Sequence, residues 1–350
     1  MIRLHEKYGP VLRIAPDELS YASAEAWQDI YAHHRLRRLL EIPLSERALL
    51  TQEPIITGYV DHFIQRLKEN AAHREDPNRV LNLVDWVTFV CFDVLGDLAF
   101  GESFQCLEQG EAHWWINDIQ QGVKAAFKLK SIERFIPGFF PAFMAVFKFV
   151  GAAMAKDPEE NFMFCARKAR ERLARSTDRP DFTNKTLPQM TNDEIESNAQ
   201  TLVNAGTEPV ATAICGIFFH LVSQPDSLLR AVTEIRSAFN SESDITISTT
   251  QQRLPYLRAI INEGMRMYPP APGTFPRTTP AHGCRICSRH VPGGYSVGVN
   301  QSAIMRSSAL WVQPNQFAPE RWLGDSAFES DNLKAYQPFS FGPRACIGKR

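Results

Sequence analysis

The texture of the amino-acid sequence changes at Pro270, and this change constrains the fold more than any other feature. Before it lie long segments of helical character, among them residues 82–100, 195–222 and 255–267. After it, short segments alternate with Gly-Gly turns and prolines, as in residues 290–299, which is typical of small strands. The sequence therefore predicts a mainly α fold with a minor β part.

The composition is that of a globular protein with a large core. Hydrophobic residues make up 44% of the 350 residues and charged residues 22%. This balance excludes a disordered chain, a collagen-like chain and a small disulfide scaffold. The formal net charge is -1, from 38 Lys plus Arg against 39 Asp plus Glu. Such a charge argues against a nucleic-acid partner held by a basic surface.

Seven cysteines are scattered along the chain, and this odd set indicates a reducing compartment rather than a disulfide framework. Four of the residues at positions 282–290 resemble a compact zinc site: His282, Cys284, Cys287 and His290. A closed structural site needs four well-placed ligands, and no second Cys/His pair lies at finger spacing. A strand ahead of the turn at residues 291–294 is therefore the favoured interpretation.

Two apolar stretches have the length of a membrane span. Residues 135–155 contain two prolines and a lysine, so the sequence predicts a loop and a helix whose apolar face packs in the core. Contact with a membrane surface is the alternative for this stretch. Residues 202–222 carry Glu208 and His220, which favours a buried central helix over a membrane span.

A cysteine near the carboxyl end, Cys346, lies among glycines and beside an arginine. Glycines allow backbone amides to approach a sulfur closely, and amides stabilise a thiolate. A thiolate held in this way can ligate a metal, and hydrogen bonds to the sulfur tune its donor strength. The alternative is a buried free cysteine near a turn.

The stretch around this cysteine has the pattern Phe-x-x-Gly-x-Arg-x-Cys-x-Gly over residues 339–348. It closely resembles the haem-ligand loop of the cytochrome P-450 superfamily. The resemblance implies that Cys346 is the axial thiolate to the haem iron. It also implies that Phe339 packs near the thiolate and that Arg344 holds a haem propionate. The likeness covers nearly the whole chain and is closest to fungal members that tailor secondary metabolites, such as trichothecene C-15 hydroxylases.

Two further segments resemble motifs of the same family, in the same order. Glu263 and Arg266 match its Glu-x-x-Arg helix motif, whose spacing places both side chains on one helix face. Arg321 lies in a Pro-Glu-Arg-Trp segment that resembles a later family motif. The resemblance implies a buried network of Glu263, Arg266 and Arg321.

Other basic residues fit the binding of haem propionates. Arg277 follows Phe-Pro, as the family's propionate arginine often does, and the segment with His33 and Arg37 resembles its propionate-binding helix. Arginine suits this task because its planar guanidinium binds carboxylates through two hydrogen bonds. A solvated basic helix face is the alternative for residues 35–38.

The central helix carries the residues that the resemblance assigns to oxygen activation. Gly206 opens a groove for dioxygen, and Glu208 matches the family's acid, a proton donor. The family usually follows this acid with two threonines, whereas this chain has proline and valine at 209–210. The proline removes a helix N–H and predicts a kink. Thr207, Thr212 or a water molecule is then left to replace the hydroxyl pair.

The resemblance implies a single haem-thiolate monooxygenase domain over residues 1–350, with a P-450 fold that is incomplete at both ends. Relative to the family, we expect no amino-terminal membrane anchor, a shorter pocket-capping segment near residue 32 and no helix after the cysteine loop. Full-length members lie on the cytosolic face of the endoplasmic reticulum membrane. The absence of the anchor favours a soluble chain.

The implied activity is insertion of one oxygen atom from dioxygen into an apolar small molecule. The cofactor is haem, and the electrons come from an NADPH-dependent reductase. Two alternatives remain open at this point. A haem-thiolate isomerase or dehydratase needs no hydroxyl pair in the central helix, and a non-catalytic remnant would hold no haem.

Overall fold

The computed structural model describes residues 1–31, 44–72, 80–135, 158–175, 179, 181–182 and 192–349. The chain divides into two compact units. The first unit comprises residues 1–38 and 212–350, and the second comprises residues 39–211.

Helices make up most of the described chain, and the strands are short. The helices are α1 (Ile2–Tyr8), α2 (Glu25–Tyr31), α3 (Glu46–Ala72), α4 (Leu83–Phe100), α5 (Cys106–Gln109), α6 (Trp114–Phe135), α7 (Pro158–Ala174), α8 (Asn192–Val222), α9 (Pro225–Ala238), α10 (Ile247–Arg253), α11 (Pro255–Met267) and α12 (Gln301–Met305). The strands are β1 (Val11–Ala15), β2 (Glu18–Tyr21), β3 (Arg277–Thr278), β4 (Cys284–Ile286), β5 (Arg289–Val291) and β6 (Ser296–Val299). Short 3-10 turns lie at Glu242–Asp244, Pro319–Leu323, Ser326–Phe328, Leu333–Ala335 and Gly342–Arg344. The predicted mainly α class with a minor β part is confirmed.

Local signals fix the ends of two predicted helices. The Asn82 side chain accepts a hydrogen bond from the Val84 N–H at the start of α4, and Gly101 ends that helix with a φ of 71°. Helix α11 begins at Pro255, a residue that is well suited to a first helical position. Both helices were predicted within one residue of their observed bounds.

The strands of the first unit form one sheet and one hairpin. The sheet has the order β1-β2-β6-β3, in which β2 and β6 are parallel and the other pairs are antiparallel. Strands β4 and β5 pair through a turn at Cys287 and Ser288, which both have positive φ angles. The segment predicted as one strand is therefore a hairpin. Within the described residues, no three His, Cys, Asp or Glu side chains are grouped to hold a metal ion.

Helix α8 is only partly buried among its described side chains. Val203, Thr207 and Ala211 are buried, whereas Phe219 and Val222 are exposed. The predicted buried helix is thus correct for part of α8, whose last turn exposes two large apolar side chains. Residues 201–222 have the length and composition of a membrane span, with 22% of the most apolar window buried, and the core helix of a soluble protein passes the same test.

The second unit is held together by an aromatic cluster and buried ion pairs. The Phe92 and Phe104 ring centroids lie 4.5 Å apart, and both rings pack near Trp115. Arg172 Nη2 donates to Asp181 Oδ2 over 2.7 Å, with 5% and 0% of the two side chains exposed. The aromatic contacts join α4 to α6, and the ion pair holds Asp181 against α7.

The core of the first unit lies between the sheet and its flanking helices. Its largest fully buried side chains include Trp27, Trp311, Ile304 and Met305. Phe341, in the carboxyl-terminal loop, packs against this core. The core thereby positions the segment that carries Cys346.

Candidate functional site

The cysteine loop is closed by its own backbone. The Cys346 N–H donates to the Phe339 carbonyl over 2.7 Å, and the Ala345 N–H donates to the Gly342 carbonyl over 3.0 Å. The Cys346 thiol is exposed and forms no disulfide. The alternative of a buried cysteine is therefore wrong, because Cys346 is exposed.

Two features fix the shape of the loop. Gly342 has a φ of 73°, which residues with a Cβ adopt at a cost. Phe341, its neighbour, packs against the core of the first unit. Gly348 lies beside the sulfur, since a Cβ built there would be 3.8 Å from Cys346 Sγ.

Gly342→Ala is expected to destabilise the loop by about 1–2 kcal/mol, because the alanine Cβ crowds the backbone in the left-handed region. Gly348→Ala is the matched control, since its Cβ would make only an ordinary contact. Chemical denaturation of both variants measures the difference. Equal stability of the two variants would contradict the prediction.

Arg277 lies over the ring of Tyr31, the last residue of α2. Its guanidinium lies 5.0 Å from the Tyr31 ring centroid, and its Nη1 donates to the Pro276 carbonyl over 2.8 Å. The Tyr31 hydroxyl donates to the Phe275 carbonyl over 2.6 Å and accepts from the Val299 N–H over 3.1 Å. Burial raises the pKa of Tyr31, so this hydroxyl keeps its proton near neutral pH.

Tyr31→Phe is expected to lower the free energy of unfolding by about 1–3 kcal/mol, since it leaves the Phe275 carbonyl and the Val299 N–H without this partner. Tyr8→Phe serves as the control because Tyr8 is 61% exposed. Urea unfolding of both variants gives the comparison. A Tyr31→Phe protein as stable as the control would show that the hydroxyl holds nothing in place.

The structure describes Arg277 and Arg344, two of the residues predicted to bind the haem propionates. Arg344 is exposed, and neither it nor Arg277 forms an ion pair with a carboxylate of the described residues. Phe339 is half-buried in the cysteine loop. His33 and Arg37 lie outside the described residues.

The predicted network of Glu263, Arg266 and Arg321 is confirmed. Arg266 donates to both carboxylate oxygens of Glu263, each over 2.8 Å, and Arg321 Nε donates to Glu263 Oε1 over 3.1 Å. Arg266 also donates to the carbonyls of Met305 and Pro314, over 2.8 Å in each case. All three charged side chains are buried, so the network joins α11 to the loops that follow α12.

Two members of this network were not predicted. The Trp322 Nε1–H donates to Glu263 Oε2 over 3.0 Å, and Asp331 forms an ion pair with Arg321. Burial pushes the pKa of Glu263 upward. The hydrogen bonds and charge of Arg266, with the charge of Arg321, outweigh burial and hold that pKa below its ordinary value. Glu263 is therefore a structural carboxylate.

The predicted oxygen-activation residues share one turn of α8 and belong to the second unit. A Cβ on Gly206 would lie 2.7 Å from Leu95 Cδ1, so the glycine lets α4 approach closely. Thr207 is buried, and Glu208 is exposed at the edge of a small cavity. Helix α8 continues through Pro209, whose missing N–H leaves the Ala205 carbonyl without its helical donor. The roles of these residues with dioxygen stay predictions.

Comparison with known proteins places the chain in a family. A cytochrome P-450 family model matches residues 23–350. The chain is 44% identical over 384 positions to cytochrome P-450 monooxygenase aclL of Aspergillus oryzae, covering 99% of this chain and 76% of that protein. It is 37% identical to cytochrome P-450 monooxygenase atr2 of Stereocaulon alpinum, covering 99% and 75%. It is 34% identical to averantin hydroxylase of Dothistroma septosporum, covering 99% and 71%. The chain belongs to the cytochrome P-450 family.

Membership defines the class of enzyme. The family consists of haem-dependent monooxygenases, so this chain is an oxidoreductase of that class with a P-450 fold. The names monooxygenase and hydroxylase among the relatives favour oxygen insertion over the isomerase or dehydratase alternative. Haem, dioxygen and a redox partner are general to the family. The 384 aligned positions exceed the 350 residues by 34, so aclL carries at least 34 residues with no counterpart here.

Proposed function

We propose that Cys346 binds the haem iron as a thiolate and that the chain inserts one oxygen atom from dioxygen into an apolar small molecule. Electrons would come from an NADPH-dependent reductase. The observation that carries this proposal is the exposed, unbridged Cys346 thiol in a loop closed by the hydrogen bond to the Phe339 carbonyl. A sulfur in this position has no structural task within the described residues and is open to a ligand.

The chemistry of the donor set fits haem. A cysteine thiolate is an established ligand of haem iron. The two propionates of haem require cationic partners, and Arg277 and Arg344 carry guanidiniums without an ion-paired carboxylate in the described chain. We assign His33 and Arg37 to the same carboxylates, on the resemblance of their segment to the family's helix. We assign Phe339 to contact with the thiolate.

Each side chain then has a definite task. Haem, when bound, supplies the oxygen-activating chemistry, and the protein supplies binding, orientation and electrostatics. Cys346 presents its sulfur, and the two arginines hold carboxylates. Tyr31 orients Arg277 through its ring. Glu208 holds and releases a proton at its carboxyl group, while Gly206 and Thr207 line the same turn of α8.

We propose that the chain acts in fungal secondary metabolism as one domain over residues 1–350, with the shortened segment near residue 32. Its place is the cytosolic face of the endoplasmic reticulum, where the reductase of full-length members is found. Residues 135–155 are the candidate surface for membrane contact, and all but the first of them lie outside the described residues. Averantin, the compound in the name of one relative, is a first substrate to test.

Haem titration of the purified chain tests the proposal. We expect one haem per chain and a higher midpoint of thermal unfolding with haemin, because a ligand that binds only the folded state stabilises it. The heat-unfolded chain at equal concentration controls for haemin that adsorbs without a site. If the wild-type chain takes up no more haem than its heat-unfolded form, the chain is a non-catalytic remnant and the proposal is overturned.

A further inference from the structure

Two buried polar atoms of α8 have no hydrogen-bond partner among the described residues. They are Thr207 Oγ1 and Asn204 Oδ1. Thr207 is only 5% exposed. The two residues are three positions apart, so they lie on one face of the helix. Buried polar groups are nearly always paired with protein or with ordered water, so two unpaired atoms at one place indicate a missing partner.

Both residues line a small cavity within the second unit. The centre of a water-sized sphere can occupy about 10 Å3 of it, which is room for a single water molecule. Glu208 lines the same cavity. The other walls come from α4 and α6: Thr88, Phe92, Ile116 and Ile119.

The hydroxyl of Thr207 forms no hydrogen bond with its own helix. Other helical threonines donate to the carbonyl four residues earlier, as Thr88 does to Val84 and Thr233 does to Leu229, both over 2.8 Å. Thr207 forms no such bond. Its O–H is therefore available to a partner in the cavity, and the oxygen of Thr88 keeps the capacity to accept a further hydrogen bond.

We propose that Asn204 and Thr207 bind one internal water molecule beside Glu208. A water molecule both donates and accepts, so it satisfies either end of the Asn204 amide together with the Thr207 hydroxyl. The three apolar side chains in the walls disfavour an ion. Two to four polar partners are what a buried water requires, and Asn204, Thr207, Thr88 and Glu208 supply them.

This water gives Asn204 and Thr207 a positioning role that rests on the proposed function. Proline and valine occupy positions 209–210, so the two hydroxyls that usually follow the acid are absent. The bound water and the Thr207 hydroxyl place O–H groups next to Glu208 instead. The water accepts a proton from the Glu208 carboxyl as it gives up one of its own, and solvent, which reaches the exposed Glu208, reprotonates the carboxylate.

The sign of a stability change tests the water site without haem. If water is bound, Thr207→Val removes a partner of the water and shifts the unfolding equilibrium about fivefold to 30-fold toward the unfolded state. If the cavity is dry, valine removes an unpaired hydroxyl and the protein becomes as stable as wild type or more stable. Thr233→Val is the matched control on an exposed helical site. A high-resolution crystal structure should show density for water between Asn204 and Thr207, and an empty cavity would overturn the proposal.

A second readout tests the positioning role in the haem-loaded protein with reductase. We expect Thr207→Val and Asn204→Leu each to raise the hydrogen peroxide released per NADPH consumed at least threefold and to change the effect of D2O on the rate. Thr233→Val should match wild type in both. Unchanged values in the cavity variants, in protein that binds haem normally, would sink the positioning role alone. A wild type without haem would instead defeat the proposed function, and the stability test would still decide the water site.

Discussion

Replacing Glu263 with alanine is expected to lower the free energy of unfolding by about 3–5 kcal/mol. The carboxylate is fully buried and accepts from Arg266, Arg321 and Trp322. Its removal leaves two buried guanidiniums, of which Arg321 alone keeps an ion pair among the described residues, with Asp331. Urea unfolding monitored by circular dichroism measures the loss.

Glu171→Ala is the control for this substitution. Glu171 also lies near two basic groups, at 3.8 Å and 3.9 Å, but its side chain is 44% exposed. An exposed pair contributes less than about 1 kcal/mol. Equal losses in the two variants would contradict the assignment of Glu263 to a buried network.

The contribution of Glu263 also has a definite pH dependence. Burial raises the pKa of Glu263, but Arg266 and Arg321 lower it by more than burial raises it. The folded-state pKa therefore lies below the ordinary glutamate value of about 4.3. The stabilisation is therefore fully present above that value and is lost as the pH falls through the lower folded-state value. The stability difference between wild type and Glu263→Gln should shrink only in that acidic range.

Cys346→Ala is expected to reduce haem-dependent NADPH consumption to the rate of the reductase alone. The same substitution should change the free energy of unfolding of the haem-free chain by no more than about 0.5 kcal/mol, because the side chain is exposed. A large loss of function without a loss of stability separates a ligand from a packing residue.

A second cysteine provides the comparison for that variant. Cys284 is half-buried in the β4–β5 hairpin and has no assigned role. Cys284→Ala should keep haem-dependent NADPH consumption. If both variants lose haem-dependent NADPH consumption, or if neither does, the assignment of Cys346 as the haem ligand is contradicted.

The predictable parts of the fold are those with local signals. Helix α11 starts at a proline and stops before Pro269, and helix α4 lies between Asn82 and Gly101, so neighbouring residues determine their ends. The cysteine loop was found because its residues are contiguous. The Glu263–Arg266 pair follows from helical spacing.

Features that depend on distant contacts were not predicted. Asp331 joins Arg321 only through the folded arrangement of the loops, and Tyr31 meets Arg277 across 246 positions of sequence. The turn of the β4–β5 hairpin uses Cys287 and Ser288 with positive φ angles, which neither residue type signals. The unpaired atoms of Asn204 and Thr207 depend on how α4 and α6 pack against α8.

The most direct test of the central claim is a reduced, carbon-monoxide difference spectrum of the expressed chain beside Cys346→Ala. The assignment of Cys346 as the haem thiolate predicts a strongly red-shifted Soret band in the wild-type protein and its loss in the variant. The absence of a haem band in the wild type, or a red-shifted band that survives the substitution, would contradict it.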